Sequence, residues 1–126
     1  MATLNGTVSM CRVVDGGATS SVKLAEVLFT ASGTYDQSAS APIELLNVHT
    51  SIENSQRNGK SVTLLDCGSG PAALIGSDDY HCSSTVVNGN NLEFDLYKSS
   101  TNAEHANGAL GTFNRPGSVF VAFSES

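Results

Sequence analysis

Gly, Ser, Thr and Asn supply 50 of the 126 residues, whereas Asp, Glu, Lys and Arg supply only 18, for a net charge of −6. The six basic residues (Arg12, Lys23, Arg57, Lys60, Lys98 and Arg115) are scattered along the chain, which excludes the clustered cations that nucleic acid requires. No apolar run approaches the ~18 residues of a membrane-spanning helix, so neither nucleic acid nor membrane is an expected partner.

The length fits one domain, residues 1–126, and short stretches of Val, Leu and Phe alternating with small polar residues make it β-rich. Residues 3–14 read as a first strand, with Val8 and Met10 on one face and Ser9 and Cys11 on the other. Arg12-Val13-Val14 breaks the alternation, as a bulge or strand end does, and Asp15-Gly16-Gly17 is a turn. Residues 20–30 form the second strand of a hairpin, with Val22 and Leu24 facing in before Val27-Leu28-Phe29 turns apolar on both faces. Residues 31–41 read as a polar surface loop.

Pro42 opens a stretch in which Leu45, Val48 and Ile52 share a helical face, with Asn47 able to cap a shorter helix from Val48. Arg57 in the last turn and Asn58-Gly59 end that helix. Residues 61–65 form a short strand with Val62 and Leu64 on one face, and residues 66–84 read as irregular apart from a brief strand at Ala73-Leu74-Ile75. The clearest hairpin spans 85–98: Val86-Val87 enters Asn88-Gly89-Asn90-Asn91, and Leu92, Phe94 and Leu96 then alternate with Glu93, Asp95 and Tyr97. Residues 99–117 form a second long connection. Residues 118–123 close the chain as a strand apolar on both faces, hence central or covered on both sides, with 124–126 frayed. The expected core is Leu92, Phe94, Leu96, Val119, Val121 and Phe123, with Glu93, Asp95 and Lys98 exposed.

Reactive groups are sparse. Cys67, Asp78, Asp79, His81 and Cys82 form the densest set of potential ligands but lack the paired Cys or His spacing of a zinc site. Asp78-Asp79 and Glu93/Asp95 have the form of paired carboxylates, yet acids alternating along a strand are ordinary solvation. None of Cys11, Cys67 and Cys82 lies in a nucleophile turn, and Gly68, Gly70 and Gly76 make no nucleotide-binding fingerprint. No catalytic residue, metal or cofactor is expected. The residues from Met1 to Gly6 lack a charged region followed by an apolar stretch, so the reading expects no secretory leader and reduced thiols, with a Cys67–Cys82 bridge as the alternative.

The segment from Leu45 to Leu65, followed by Gly108-Ala-Leu-Gly-Thr-Phe-Asn-Arg-Pro-Gly117 and the strand to Phe123, resembles small virion accessory proteins of tailed bacteriophages, in particular capsid decoration (cement) proteins. The resemblance is one of size, acidity, small-residue style and a lone helix between strands. It implies a virion protein made in the host cytoplasm that binds the major capsid protein and self-associates, as a trimer by preference. The fold expected is mainly β: a sandwich or open barrel of roughly six to eight strands with one short helix, the alternative being an α+β domain with the helix packed on an antiparallel sheet. A receptor- or carbohydrate-binding β module of a fibre or tail is the second functional reading, and a small hydrolase the third. The assembly contact is expected at an N-terminal arm (Ala2, Thr3, Leu4 and Asn5) and at the loops 32–41 and 102–117, with Phe113 and Arg115 as anchors. The competing reading has Phe113 plugging the core and Arg115 pairing with an acid.

Overall fold

Alternation of apolar and polar residues is carried through most of the chain, and the computed structural model, which describes residues 4–15, 22–38, 42–69 and 73–126, converts it into a curled sheet. In chain order the elements are β1 (Leu4–Asp15), β2 (Lys23–Ala31), β3 (Thr34–Tyr35), β4 (Ile43–Leu45), α1 (Val48–Gln56), β5 (Val62–Ser69) and β6 (Ala73–Ile75). They continue with β7 (Asp78–Val87), β8 (Asn91–Lys98), β9 (Ala103–Glu104), β10 (Gly108–Ala109), β11 (Phe113–Arg115) and β12 (Gly117–Glu125). The main sheet runs β11-β6-β7-β8-β4-β1-β2-β12-β5, with β9 also on β8, while β10 and β3 form a separate pair. Neighbours are antiparallel except β1 and β4, which run parallel. The sheet curls into a half-barrel. Its two halves meet where the Leu64 amide of β5 donates to Gly89 O, at the β7–β8 turn, over 3.3 Å.

The inner face holds the expected core. Leu92, Leu96, Val119, Val121 and Phe123 are fully buried, and Phe94 is 1% exposed. Val27, Phe29, Tyr35, Ile43 and Leu45 join them. Val48 and Ile52 turn inward from α1, so the lone helix packs on the same core. The mainly-β open barrel with one helix is therefore the fold.

Several boundaries differ from the expectation. Ladder pairing fixes the phase of β2: Val27 faces Val119 and Ala25 faces Val121, so Ala25, Val27 and Phe29 point inward. Leu24 consequently lies on the outer face, and Val22 is 50% exposed. The helical spacing after Pro42 joins two elements, because Leu45 belongs to β4 and only Val48 and Ile52 to α1. Asn47 precedes α1 in a left-handed conformation without a side-chain cap; instead the Val48 amide donates to Asn90 O at 2.8 Å. Arg57 ends the helix, also left-handed, by donating to Glu53 O at 3.1 Å. The segment expected to be irregular contains the end of β5 and most of β7, since its Ser, His and Cys residues pair along β8. Glu93, Asp95 and Lys98 are only half-exposed. Gly16, Gly17, Gly70 and Pro71 of the expected turns and loops lie outside the described residues.

The C-terminus is held rather than frayed. Glu125 belongs to β12, and the Ser126 amide donates to Ser61 O at 3.0 Å. The Glu125 carboxylate accepts from Asn58 Nδ2 (2.7 Å), Lys23 Nζ (2.6 Å) and Gln56 Nε2 (3.1 Å), tying the end of α1 to β12 and β2. These donors, Asn58 first, hold its carboxyl down at about 2, against 4.5 unperturbed. A carboxyl depressed in the folded state stabilises above its unfolded value and loses that contribution as the pH falls through the folded one. Glu125→Gln is therefore expected to lower the urea midpoint at about pH 7, and the gap to the parent should close between about pH 4.5 and 2. A gap that is the same at both ends of this range would count against the assignment.

Candidate functional site

The two loops expected to lie against a partner are bound to each other. Thr34 and Tyr35 pair with Ala109 and Gly108, and the Leu110 amide donates to Gly33 O at 2.9 Å. Gln37 Nε2 donates to Glu104 O (3.3 Å) and His105 O (2.8 Å), while its backbone amide reaches Asn107 Oδ1 (2.7 Å). This end of the barrel is a knitted cover. Phe113 sits in β11 opposite Ile75, its ring edge-on to Phe29 at 6.2 Å, and is half-buried. Arg115 Nη2 meets Asp79 Oδ1 at 2.6 Å with both side chains about half exposed, a surface pair of about 0–1 kcal/mol. The geometry thus has the core-plug form for Phe113 and the ion-pair form for Arg115. Leu4 and Asn5 do not form an arm: they pair with Ile43 and Glu44 in the main sheet. Ala2 and Thr3 lie outside the described residues.

The titratable candidates are likewise engaged or dispersed. Cys11, Cys67 and Cys82 are thiols, with no disulfide among them. Burial pushes the Cys11 thiol up to about 11 and that of Cys82 up to about 12, and it raises Cys67 as well. A raised thiol is protonated at neutral pH and is a weak nucleophile. His81 and Cys82 are successive residues of β7 and so face opposite ways; the His81 ring stacks on Tyr97 at 5.8 Å. Asp78 lies 3.5 Å from Lys98 Nζ. Burial, then the charge of Glu104, raises the Asp95 carboxyl, while Glu93 faces Glu44 across the ladder. Among the described residues, no group of three or more His, Cys, Asp or Glu could share a metal ion. No helix among them is long and apolar enough to cross a membrane.

What remains open is the outer face of β1-β2-β12-β5. Cross-strand register sets Arg12, Glu26, Phe120 and Gly68 in one row, with Asp15, Leu24, Ala122 and Asp66 in the next and Met10, Leu28 and Ser118 on the other side. Met10 is 55% exposed, and Leu65, at the bulge of β5, is 49% exposed. Leu24, Leu28, Phe120 and Ala122 are half-buried. Leu24, Phe120, Ala122, Asp66, Cys67 and Gly68 line a shallow groove of about 310 Å³. Gly68 makes the groove: a Cβ built there meets nothing within 4 Å.

Glu26, only 9% exposed, anchors this face. Its Oε1 accepts from Arg12 Nε at 3.0 Å and its Oε2 from Ser118 Oγ at 3.2 Å. A carboxylate withdrawn from water needs such partners, and they brace β1, β2 and β12 against one another. The sequence carried the signal for this face, since strands apolar at both parities read as covered on both sides. Here one side is covered by the core and the other by none of the described residues. Compared with family models, curated proteins and solved structures, the chain matches none.

Proposed function

We propose that this chain is a non-enzymatic virion structural protein, a capsid decoration protein that binds the major capsid protein on the outside of a phage head and reinforces it. The observation that carries the reading is the apolar outer face of β1-β2-β12-β5, a braced wall with half-exposed Met10 and Leu65 and the Phe120 groove. Contiguous apolar surface of this kind costs solubility and belongs to contact with another protein. The size, acidity and small-residue style of the sequence support the same reading through the resemblance to cement proteins.

The test is co-sedimentation of the purified protein with heads of the parent phage lacking it. Saturable binding at a fixed ratio to the capsid protein, with a higher rupture temperature of the heads, is the expected result. Heads that neither bind the protein nor gain heat resistance would sink the reading.

A further inference from the structure

Four of the six basic side chains are neutralised within the chain: Arg12 pairs with Glu26, Lys23 with Glu125, Lys98 with Asp78 and Arg115 with Asp79. Among the described residues the other two, Arg57 and Lys60, hold no acid, and both line one open cavity of about 610 Å³ where α1 ends. We infer that this cavity is a binding site for a phosphate group, held by Arg57 and Lys60. It shares no residue with the outer wall, so it stands or falls independently of the capsid reading.

The wall of the cavity is rich in donors and poor in acceptors. Asn54 and Ser61 line it beside the two cations, and their side chains also have no partner among the described residues. Guanidinium, ammonium, carboxamide and hydroxyl therefore offer hydrogen-bond donors to one space. Glu53 is the one acid on the wall, and its Oε2 is taken by the Val62 amide at 2.9 Å. The turn that carries the cations is braced. Arg57 and Gly59 are both left-handed, at φ 55° and 74°. Between them Asn58 is fixed at both ends of its amide: Oδ1 accepts from the Lys60 amide at 3.1 Å, and Nδ2 donates to Glu125 at 2.7 Å. A Cβ built at Gly59 meets nothing within 4 Å, so the cavity is open at that point. A turn already held in place spares a ligand the cost of ordering it.

Charge decides the class of ligand. The C-terminus of α1, worth roughly half a negative unit charge, and the Glu53 carboxylate both disfavour an anion. The two cations outweigh them, which leaves a positive site on a chain of net charge −6. A ligand that engages both cations needs more than one negative charge and several acceptor oxygens. A phosphate group meets both demands: two oxygens match the guanidinium fork, a third takes the ammonium, and the fourth is free to carry an ester. A carboxylate has one charge and two oxygens, enough for one of the cations only.

The experiment titrates the isotope-labelled chain with inorganic phosphate, following amide and arginine side-chain signals by NMR. It is run at about pH 8, where the phosphate group carries two charges, with ionic strength held constant by sodium chloride so that screening does not change. The amides of residues 57–61 and the Arg57 side chain should shift along a saturating curve, with a Kd of about 1–10 mM. Arg57→Gln and Lys60→Gln should each weaken binding about tenfold. Both side chains are exposed, so the melting temperature should not move. Lys98→Gln removes a cation paired elsewhere and should leave the curve unchanged. Glycerol phosphate is titrated beside the free ion. A tighter curve for the ester supports a site for a phosphorylated molecule, and a tighter curve for the ion supports one for phosphate itself. A shift that rises without saturating overturns the inference, as does a curve unchanged in Arg57→Gln or in Lys60→Gln. Acetate that binds as tightly as phosphate overturns it too, because a single charge would then suffice.

Discussion

Truncating Phe29 to alanine is expected to cost about 3–5 kcal/mol, read as a shift of the urea midpoint with an unchanged slope. The ring is fully buried and lies at the centre of an aromatic cluster, 4.6 Å from Phe94 and 6.2 Å from Phe113. It also covers Gly117: a Cβ built there would collide with Phe29 Cζ and come within 2.6 Å of Cε1. Gly117 begins β12 opposite Phe29 in the ladder, so the ring lies across its partner's backbone where any other residue would place a side chain. Gly117→Ala alone should therefore cost about 1–3 kcal/mol through overpacking. In a Phe29→Ala background the same substitution should cost much less, because the clashing ring is gone. Strict additivity of the two changes would show that Phe29 and Gly117 do not meet.

The cluster also shows how far the sequence could be read. Leu92, Phe94 and Leu96 announce their strand because every second residue is Asn, Glu, Asp or Tyr, and pairing with β7 keeps that phase. Phe29 sits in Val27-Leu28-Phe29, where apolar residues occur at both parities, so the residues alone do not say which face is inward. The phase is decided by Val119 and Val121 on β12, about a hundred residues further along the chain. For the same reason Leu24, Leu28 and Phe120 look like a second core, although none of the described residues forms a layer over them. Short strands were illegible on different grounds. Thr34–Tyr35 and Gly108–Ala109 are each two residues long and carry no period, and they exist only because they pair with each other. The anchors assigned to Phe113 and Arg115 rested on residue type, whereas β11 pairing with β6 aims Phe113 at Phe29 and leaves Arg115 beside Asp79.

Replacing Tyr35 with phenylalanine should lower stability by about 1–3 kcal/mol, although it removes a single oxygen. Tyr35 looks like a loop residue in a polar stretch, yet it is fully buried. On β8, the backbone of Leu96 lies beyond the end of β4, which pairs only as far as Phe94, and before the start of β9, which pairs from Tyr97. The Tyr35 hydroxyl fills that gap in the ladder. It accepts from the Leu96 amide at 3.0 Å and donates to Glu104 Oε2 at 2.8 Å. Burial is the main cause that pushes the phenol up, with the Glu104 carboxylate adding to it, so the hydroxyl keeps its proton and can serve as donor and acceptor together. Phenylalanine fills the same volume but leaves the Leu96 amide and the Glu104 carboxylate without that partner. The expected signature is faster hydrogen exchange at Leu96, together with a lower melting temperature. If the Leu96 amide stays as protected in Tyr35→Phe as in the parent, the hydroxyl is not part of the ladder and Tyr35 serves only to fill space.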